Sequence, residues 1–257
     1  MVMLELIAEI SGTLVTFVLT EKYKDWHKHA ERIGNRPHWD IYKAVISEPC
    51  KISWLKTLLY LNNFASNDNC LGLTWYLAND FQFYLISPII LLLLSSSMPM
   101  MGLMVTLILF VGSVLSTGII TAVNQFQPTL LLEDLATGAG NLVSEIYLRP
   151  YTRVNSFCIG IILGYFLRKY RFISIPKTAN ALLWFISVSI ILAVTLAPYA
   201  WINGESYSNA AAASYAALNR PVWSLGWAYI IFACGTGNGG IVDQFLSANI
   251  FKVLSKL

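Results

Sequence analysis

Long apolar segments recur along the chain at lengths that fit a lipid bilayer. A helix that spans a bilayer needs about 20 mostly apolar residues, and six stretches meet or approach that length. The cleanest, residues 100–123, contains no ionisable side chain. The pattern predicts an all-α protein, a multi-pass transmembrane helical bundle with about six to seven membrane segments, in which residues 54–64 lie at the interface. The predicted spans are residues 2–20, 71–94, 100–123, 154–167, 181–201 and 222–234.

The connections between these spans carry no repeat and no linker, so we expect one membrane domain over residues 1–257. Residues 203–219 are polar and are expected to form a small loop with at most one helical turn. Gly160 and Gly164 form a GxxxG pattern, which permits close contact between helices in a membrane.

Composition supports the membrane assignment. The chain is 56% hydrophobic and only 12% charged, whereas an average globular chain has about 25% charged residues. This balance excludes an ordinary soluble domain and intrinsic disorder. The net charge of +3 is small and its basic residues are scattered, so we expect no nucleic-acid partner.

One short connection indicates the orientation of the chain. Residues 168–177 contain four basic side chains and no acid, which is typical of a cytoplasmic loop. Counting back three spans then puts residues 21–69 on the opposite side. The basic residues of that longer segment conflict with this placement. The segment also contains six acids, however, and long segments follow the positive-inside rule poorly.

The four cysteines fall into two environments. Cys158 and Cys234 lie in apolar runs and are expected to be small buried side chains. Cys50 and Cys70 lie in polar flanks at a spacing that fits no metal motif, so we expect no metal site. The latter two form a disulfide if the flank is lumenal or extracellular; otherwise they remain free thiols.

Residues 75–88 (WYLANDFQFYLISP) place polar groups inside a predicted span. On a helix, Tyr76, Asn79, Asp80 and Phe83 share one arc and Gln82 lies at its edge. Such groups are costly in lipid, so they should face the bundle interior or a wet cavity. In a functional interpretation Asp80 orients a group or accepts a proton. The alternative is a buried polar clamp in which Asp80 pairs with an arginine.

Residues 145–153 (EIYLRPYTR) put two arginines at a membrane boundary. Arg149 and Arg153 could hold a phosphate, pyrophosphate or carboxylate through forked hydrogen bonds. The alternative is that they are interfacial anchors whose charged ends reach the headgroups. His27, His29 and His38 all lie in a charged segment outside the spans, and no catalytic triad can be assembled from them.

Four stretches together resemble the acyltransferase 3 family of multi-pass membrane proteins, and within it the animal "nose resistant to fluoxetine" branch. One stretch, CKISWLKTLLYLNNF followed by Cys70, is similar to the branch's Cys-x-x-x-Trp…LLY-x-NN segment. Residues 75–88 resemble the family signature, with Asp80 and Gln82 where distant bacterial members have Glu and Gln. The stretches are residues 50–64, 75–88, 147–165 and 220–246, and the resemblance covers about residues 34–257.

The resemblance implies acyl transfer from cytoplasmic acyl-CoA to an acceptor hydroxyl. Membrane lipid, acyl-CoA and the acceptor would be the partners, and no cofactor would be bound. Asp80 would support the catalytic centre. Arg149 or Arg153 would bind the donor's phosphates or the acceptor. The remaining candidate substrate-binding residues are Tyr76, Asn79 and Gln82.

Two departures from the family pattern limit this expectation. The family's first membrane helix, with an arginine and then a histidine regarded as catalytic, has no counterpart here. The chain also stops where relatives continue into further spans. We therefore expect an internal or truncated part of a longer protein, in which the full-length protein is the enzyme. The alternative is a non-catalytic membrane protein for lipid or xenobiotic uptake, in the plasma membrane or endoplasmic reticulum.

Overall fold

The computed structural model describes residues 48–64, 70, 74–96, 98–129, 142–170 and 173–248. Within these ranges all regular structure is helical, as predicted. By its contacts the chain divides into two units, residues 1–82 and 83–257, which are considered in turn. The predicted span over residues 2–20 and the three histidines lie outside the described residues, and the single membrane domain stays a prediction.

The first unit is built around a short helix that is tied to the chain by a disulfide. Helix α1 covers Glu48–Leu58 and is followed by a 3-10 turn, Asn62–Phe64. Cys50 is joined to Cys70 in a disulfide. Ser53 Oγ accepts from the backbone N–H of Cys70 at 3.0 Å, and Thr57 Oγ1 donates to its carbonyl at 3.1 Å. Both backbone groups of Cys70 are therefore held by α1.

Helix α2 begins in this unit and continues into the second. The remaining helices belong to the second unit, which also has a π-helix at Val143–Tyr147 and a 3-10 turn at Pro150–Thr152. The bounds are α2 Trp75–Ser95, α3 Pro99–Val123, α4 Val154–Lys169, α5 Lys177–Leu196, α6 Tyr199–Ile202, α7 Asn209–Gly235 and α8 Gly240–Leu246.

Helix α3 shows how this unit is arranged for a lipid environment. Its buried positions are small or polar, whereas large apolar side chains such as Met100 and Ile108 are exposed. The hydroxyls of Thr106, Thr117 and Thr121 each donate to the carbonyl four residues earlier at 2.8 Å. An apolar exterior with small residues at the contacts is the pattern of a membrane bundle. The buried residues are Gly102, Thr106, Ser113, Thr117 and Thr121.

Helix α7 packs against α3, α4 and α5 and is the centre of the second unit. It runs antiparallel to α5, because Tyr215 donates to the carbonyl of Val194 at 2.9 Å and Tyr229 donates to Asn180 Oδ1 at 2.6 Å. It runs parallel to α4, because Ser224 bonds to Ser156 near the start of α4 and Gly235, farther along α7, lies against Leu167 near the end of α4. The second unit therefore has two distinguishable ends.

Three helices in the described part of the chain are long and apolar enough to cross a membrane: Trp75–Ser95, Pro99–Val123 and Lys177–Ile202. A fourth is added if α7 and α8, which are bent by 81° at their junction, count as one span. Helix α4 has only 16 residues. The helical membrane fold is confirmed, but the predicted count of six to seven segments is not.

One expectation about the second unit was wrong. Residues 209–219 are helical rather than part of a loop, because Ser208 caps α7 by accepting from the N–H of Ala211 and the following alanines favour helix. The GxxxG pair makes no helix contact inside the described structure. A Cβ added at Gly160 or Gly164 would meet nothing within 4 Å.

Candidate functional site

Three amide side chains, of which Asn63 and Asn79 are buried and Gln82 is partly buried, form a connected network in the first unit. Asn63, which is fully buried, donates through Nδ2 to Asn79 Oδ1 at 2.7 Å and to Gln82 Oε1 at 3.0 Å. Gln82 Nε2 in turn donates to the carbonyl of Tyr60 at 2.8 Å and to Asn63 Oδ1 at 3.0 Å. Tyr60 has a φ of 55°, and its ring stacks on Phe81 at 4.5 Å between centroids. The network clamps the 3-10 turn onto the start of α2.

The predicted polar arc of α2 is only partly buried. Asn79 and Phe83 are buried as expected, but Asp80 and Tyr76 are exposed, and Tyr76 is 58% accessible. The Tyr76 hydroxyl donates to the Asp80 carboxylate one helical turn away. The amides of Asn63, Asn79 and Gln82 hydrogen-bond to one another. This network therefore does not require the Asp80 carboxylate as a partner. The predicted residues Tyr76, Asn79, Asp80 and Gln82 thus lie together at the start of α2.

The two arginines of the boundary segment have different environments. Arg149 Nη2 pairs with Glu145 Oε1 at 3.3 Å, one turn away in the chain. Arg153 Nε donates to the carbonyl of Tyr147 at 2.7 Å, and its guanidinium lies 4.6 Å from the centre of that ring. The π-helix at Val143–Tyr147 therefore supplies contacts to both arginines through different groups.

Tyr151 lies between these groups and is more than one third exposed. Its hydroxyl donates to the carbonyl of Glu145 at 3.2 Å. Partial burial raises the pKa of this hydroxyl; the Arg149 charge lowers it and the Glu145 charge raises it further. The residue therefore stays protonated and acts as a hydrogen-bond donor near neutral pH.

Arg220, which the sequence analysis did not select, lies beside Arg153. It belongs to α7 and is partly buried, and its Nη1 donates to the Thr152 carbonyl at 3.2 Å and to Thr152 Oγ1 at 3.4 Å. Its charge and that of Arg153 are close enough to repel. The one available signal was an arginine next to Pro221 at the start of an apolar run, a position where a charge is costly.

These two arginines line a cavity of about 460 Å³ in the second unit. It lies where the start of α4, the end of α5 and the first half of α7 meet. Ser224 Oγ donates to Ser156 Oγ at 2.8 Å, and Ser156 Oγ donates to Asn155 Oδ1 at 3.2 Å. We call this region the arginine cavity; its lining residues are Arg153, Ser156, Val194, Thr195, Tyr215, Asn219, Arg220, Trp223 and Ser224.

The charge balance of the arginine cavity favours an anion. Two guanidinium groups line it, and none of the described lining residues is a carboxylate. Two positive charges in a partly buried place favour a negatively charged ligand. Arginine forks match phosphate and carboxylate oxygens, while Trp223 and Val194 add an apolar wall. Of the two boundary arginines, Arg153 lines the cavity and Arg149 does not.

The opposite end of the second unit has a different construction. Asn238 Nδ2 donates to the Ile173 carbonyl at 2.9 Å and its Oδ1 accepts from Ile175 N–H at 3.2 Å. Asn180 Nδ2 donates to the Asn238 carbonyl at 2.9 Å. The glycine-rich loop between α7 and α8 is thus tied to the connection between α4 and α5. We call that connection, residues 168–177 with Arg168, Lys169 and Lys177, the basic turn.

Nothing among the described residues groups three or more histidine, cysteine or acidic side chains as a metal site would. The described free cysteines are Cys158, which is buried, and Cys234, which is partly buried. The chemistry available to the described site is therefore that of arginines, hydroxyls and amides.

Comparison with known proteins gives a consistent result. The chain matches the sequence profile described as "Acyltransferase domain", of the acyltransferase 3 type, over residues 37–257. It is 30% identical over 238 residues to "Nose resistant to fluoxetine protein 6" of Caenorhabditis elegans, covering 88% of this chain and 29% of the relative. It is 31% identical over 139 residues to "Regulator of hypoxia-inducible factor 1" of the same species, covering 50% and 28%. The chain thus spans less than a third of these curated relatives, and no solved structure matches it significantly.

Proposed function

Because the chain belongs to the acyltransferase 3 family, we propose that the full-length protein transfers an acyl group, other than an aminoacyl group, from acyl-CoA to an acceptor hydroxyl. The family resemblance that the four sequence stretches indicated is confirmed. The arginine cavity is the observation that carries the proposal. It offers anion-binding groups, hydroxyl donors and an apolar wall within the matched region.

The reaction sets clear requirements for the site. The acceptor oxygen attacks the thioester carbonyl, a C–O bond forms, the C–S bond breaks, and the acceptor proton passes to a base and then to the departing CoA thiolate. Hydrogen-bond donors at the reacting carbonyl must stabilise the negative charge that develops on its oxygen. A general base must lie within hydrogen-bond reach of the acceptor hydroxyl. The described cavity lining offers no carboxylate or histidine, so the proposal takes the base from outside that lining.

Asp80 has a supporting role in this proposal. An exposed carboxylate in a candidate span is costly in hydrocarbon, so it is expected to face water or another part of the protein. The hydrogen bond from the Tyr76 hydroxyl fixes the orientation of Asp80, and the amide hydrogen bonds of Asn79 and Gln82 fix the helix turn that carries it. We assign these four residues to a positioning role. Arg149, in contact with Glu145, is assigned to the boundary segment that holds Arg153 in place.

The basic turn and the disulfide indicate which parts of the chain face each side of the membrane in this proposal. The basic turn carries cations without acids and is proposed to face the cytoplasm, where acyl-CoA is available. Disulfides persist in oxidising compartments, so the Cys50–Cys70 segment is proposed to be extracytoplasmic. The plasma membrane and the endoplasmic reticulum both provide such an arrangement.

A second candidate function is non-catalytic handling of lipids or xenobiotics. The name of the first relative, which refers to resistance to fluoxetine, favours it. In this case the cavity would bind a ligand without transferring an acyl group.

The substitution Asp80→Asn tests the enzymatic proposal. In full-length protein supplied with radiolabelled acyl-CoA, we expect it to reduce ester formation at least tenfold, because it removes the charge with which Asp80 holds the Tyr76 hydroxyl in its proposed supporting role. Asp243→Asn, the same change in α8, should leave the rate within twofold. Full activity of the Asp80→Asn protein would remove Asp80 from the mechanism. Lipid movement by a protein that never forms ester would instead favour the second candidate.

A further inference from the structure

The arginine cavity and the basic turn lie at opposite ends of the second unit. Helix α4 runs from Arg153, which caps its start, to Lys169 at its end. Its 16 residues span about 24 Å at 1.5 Å per residue. Helix α5 runs back from Lys177 in the basic turn to Val194 and Thr195 at the cavity. Two helices of opposite direction therefore give a similar separation, which is most of the roughly 30 Å thickness of a hydrocarbon core.

Helix α7 gives a third, independent indication of this separation. Arg220 and Ser224 of α7 contact the start of α4. Farther along, a Cβ added at Gly235 would lie 2.9 Å from Leu167 Cδ2, close to the end of α4. The cavity and the basic turn are therefore separated by most of the length of α4. If the basic turn faces the cytoplasm, as the positive-inside rule indicates, the cavity belongs to the opposite leaflet.

The position of the cavity changes which ligand it fits. Coenzyme A is a cytoplasmic polyanion, and its phosphates would be about 20 Å from the side on which it is available. A ligand in the opposite leaflet is already on the side of the cavity. The lining combines two guanidinium groups and two serine hydroxyls with the indole of Trp223 and the side chain of Val194. A phosphate group on an apolar molecule satisfies both kinds of lining.

We propose that the arginine cavity binds the phosphate group of an amphiphile in the leaflet opposite the basic turn. Resting on the proposed function, this amphiphile is the acyl acceptor. Arg220 and Arg153 bind the phosphate oxygens as forked donors. The Ser224–Ser156–Asn155 chain of hydrogen bonds joins α7 to the start of α4 and so holds the two arginines on the same cavity wall. Trp223 and Val194 contact the apolar part.

Calorimetric titration of the chain in maltoside micelles, which contain no phosphate, tests this assignment. The probes are dioctanoyl phosphatidic acid, the matched neutral dioctanoylglycerol, inorganic phosphate, and adenosine 3′,5′-bisphosphate as the headgroup of coenzyme A. We expect phosphatidic acid to bind at least tenfold more tightly than each of the others. Equal binding of inorganic phosphate would assign the site to a free phosphate, and preference for the bisphosphate would assign it to the donor. Either result would overturn the lipid assignment.

Variants of equal charge change locate the binding. Arg220→Gln and, separately, Arg153→Gln should each weaken phosphatidic acid binding at least tenfold, whereas Arg220→Lys should retain part of it. Arg168→Gln, in the basic turn, should leave the affinity within twofold. If Arg168→Gln and Arg220→Gln weaken binding equally, the attraction is a general charge effect and the site assignment is wrong. The midpoint of thermal unfolding, unchanged within 3 °C, shows that each variant is folded.

Different results would refute the phosphate site and the proposed acyl transfer. Binding to the cavity without any acyl transfer would refute the proposed function and leave the phosphate site standing. Phosphatidic acid has no free hydroxyl and can act only as a competitor of the acceptor. Acyl transfer that phosphatidic acid does not inhibit would therefore refute the acceptor assignment alone.

Discussion

Asn63 is fully buried, and its side-chain nitrogen donates to the oxygens of two residues on α2, Asn79 and Gln82. Helical spacing alone predicted that Asn79 and Phe83 would be buried, and both are. Helical spacing could not predict that Asp80 would be exposed, because that depends on which other side chains form the buried hydrogen bonds. Asn63 is 16 residues from Asn79, and spacing carries no information on such a contact.

Replacing Asn63 by alanine should lower the free energy of unfolding of the first unit by about 2 kcal/mol. The change removes the amide nitrogen and oxygen of Asn63 and leaves the buried Asn79 and the partly buried Gln82 with fewer hydrogen-bond partners, which costs about 1–3 kcal/mol. Denaturation in mild detergent measures it. Asn203→Ala is the matched control, since its exposed amide donates only to the Tyr199 carbonyl, and should cost less than about 0.5 kcal/mol. Equal losses would show that the buried network does not stabilise the unit.

Arg220 is a residue of the candidate site that the sequence pattern did not indicate. Its partner Thr152 is 68 positions away, so the two-arginine cavity arises only from the packing of α7 on α4. The sequence identified Arg153 from its boundary position. It offered no means of choosing between Arg149, which pairs with Glu145, and Arg153, which lines the cavity.

At the scale of elements, the helices α2, α3 and α5 follow the predicted apolar segments closely, because length and composition decide where a helix can cross a bilayer. Helix α7 does not. Its first turns are polar and alanine-rich, so hydropathy excluded them, while the Ser208 cap and alanine propensity extend the helix beyond the apolar run. Those extra turns carry Tyr215 and Asn219 to the cavity.

Close packing of α7 on α5 occurs at Gly226 rather than at the glycine pair of α4. An added Cβ at Gly226 would lie 2.7 Å from Ile191 Cγ1 and 3.1 Å from the Ser187 carbonyl oxygen. At Gly112 of α3, an added Cβ would meet nothing within 4 Å. The two sites thus share a residue type and differ in contact.

Gly226→Ala is expected to destabilise the second unit by about 1–2 kcal/mol, because overpacking costs more than helix propensity returns. Gly112→Ala should be neutral or stabilising by up to about 1 kcal/mol, since it gains propensity without a clash. Thermal unfolding of the two variants side by side makes the comparison. A stabilising Gly226→Ala would mean that α5 and α7 separate readily.

At the scale of the molecule, the chain combines an apolar exterior with a disulfide in one unit and a basic turn in the other. Composition alone predicted a membrane protein, since the shortage of charged residues leaves no other environment for this surface. The number of spans could not be predicted as well, because short segments such as α4 and bent pairs such as α7 and α8 satisfy a hydropathy criterion only in part.

The disulfide gives a test of membrane sidedness. In sealed vesicles with the extracytoplasmic face outward, a membrane-impermeant phosphine should reduce Cys50–Cys70 and allow both thiols to react with a polyethylene glycol maleimide. Vesicles of opposite orientation should show no such reaction. The Cys50→Ser, Cys70→Ser double variant sets the background from the remaining cysteines. Reaction only in the inverted vesicles would contradict the proposed orientation.

The most direct test of the central claim, that this is a membrane acyltransferase, follows the acyl group itself. Full-length protein in sealed vesicles receives acyl-CoA labelled in the acyl chain, and mass spectrometry measures free CoA thiol and labelled ester together. The account predicts that thiol and ester appear in equal amounts, and that Arg220→Gln reduces both at least tenfold while Arg168→Gln does not. Vesicles that take up lipid but release no thiol and form no ester would contradict it.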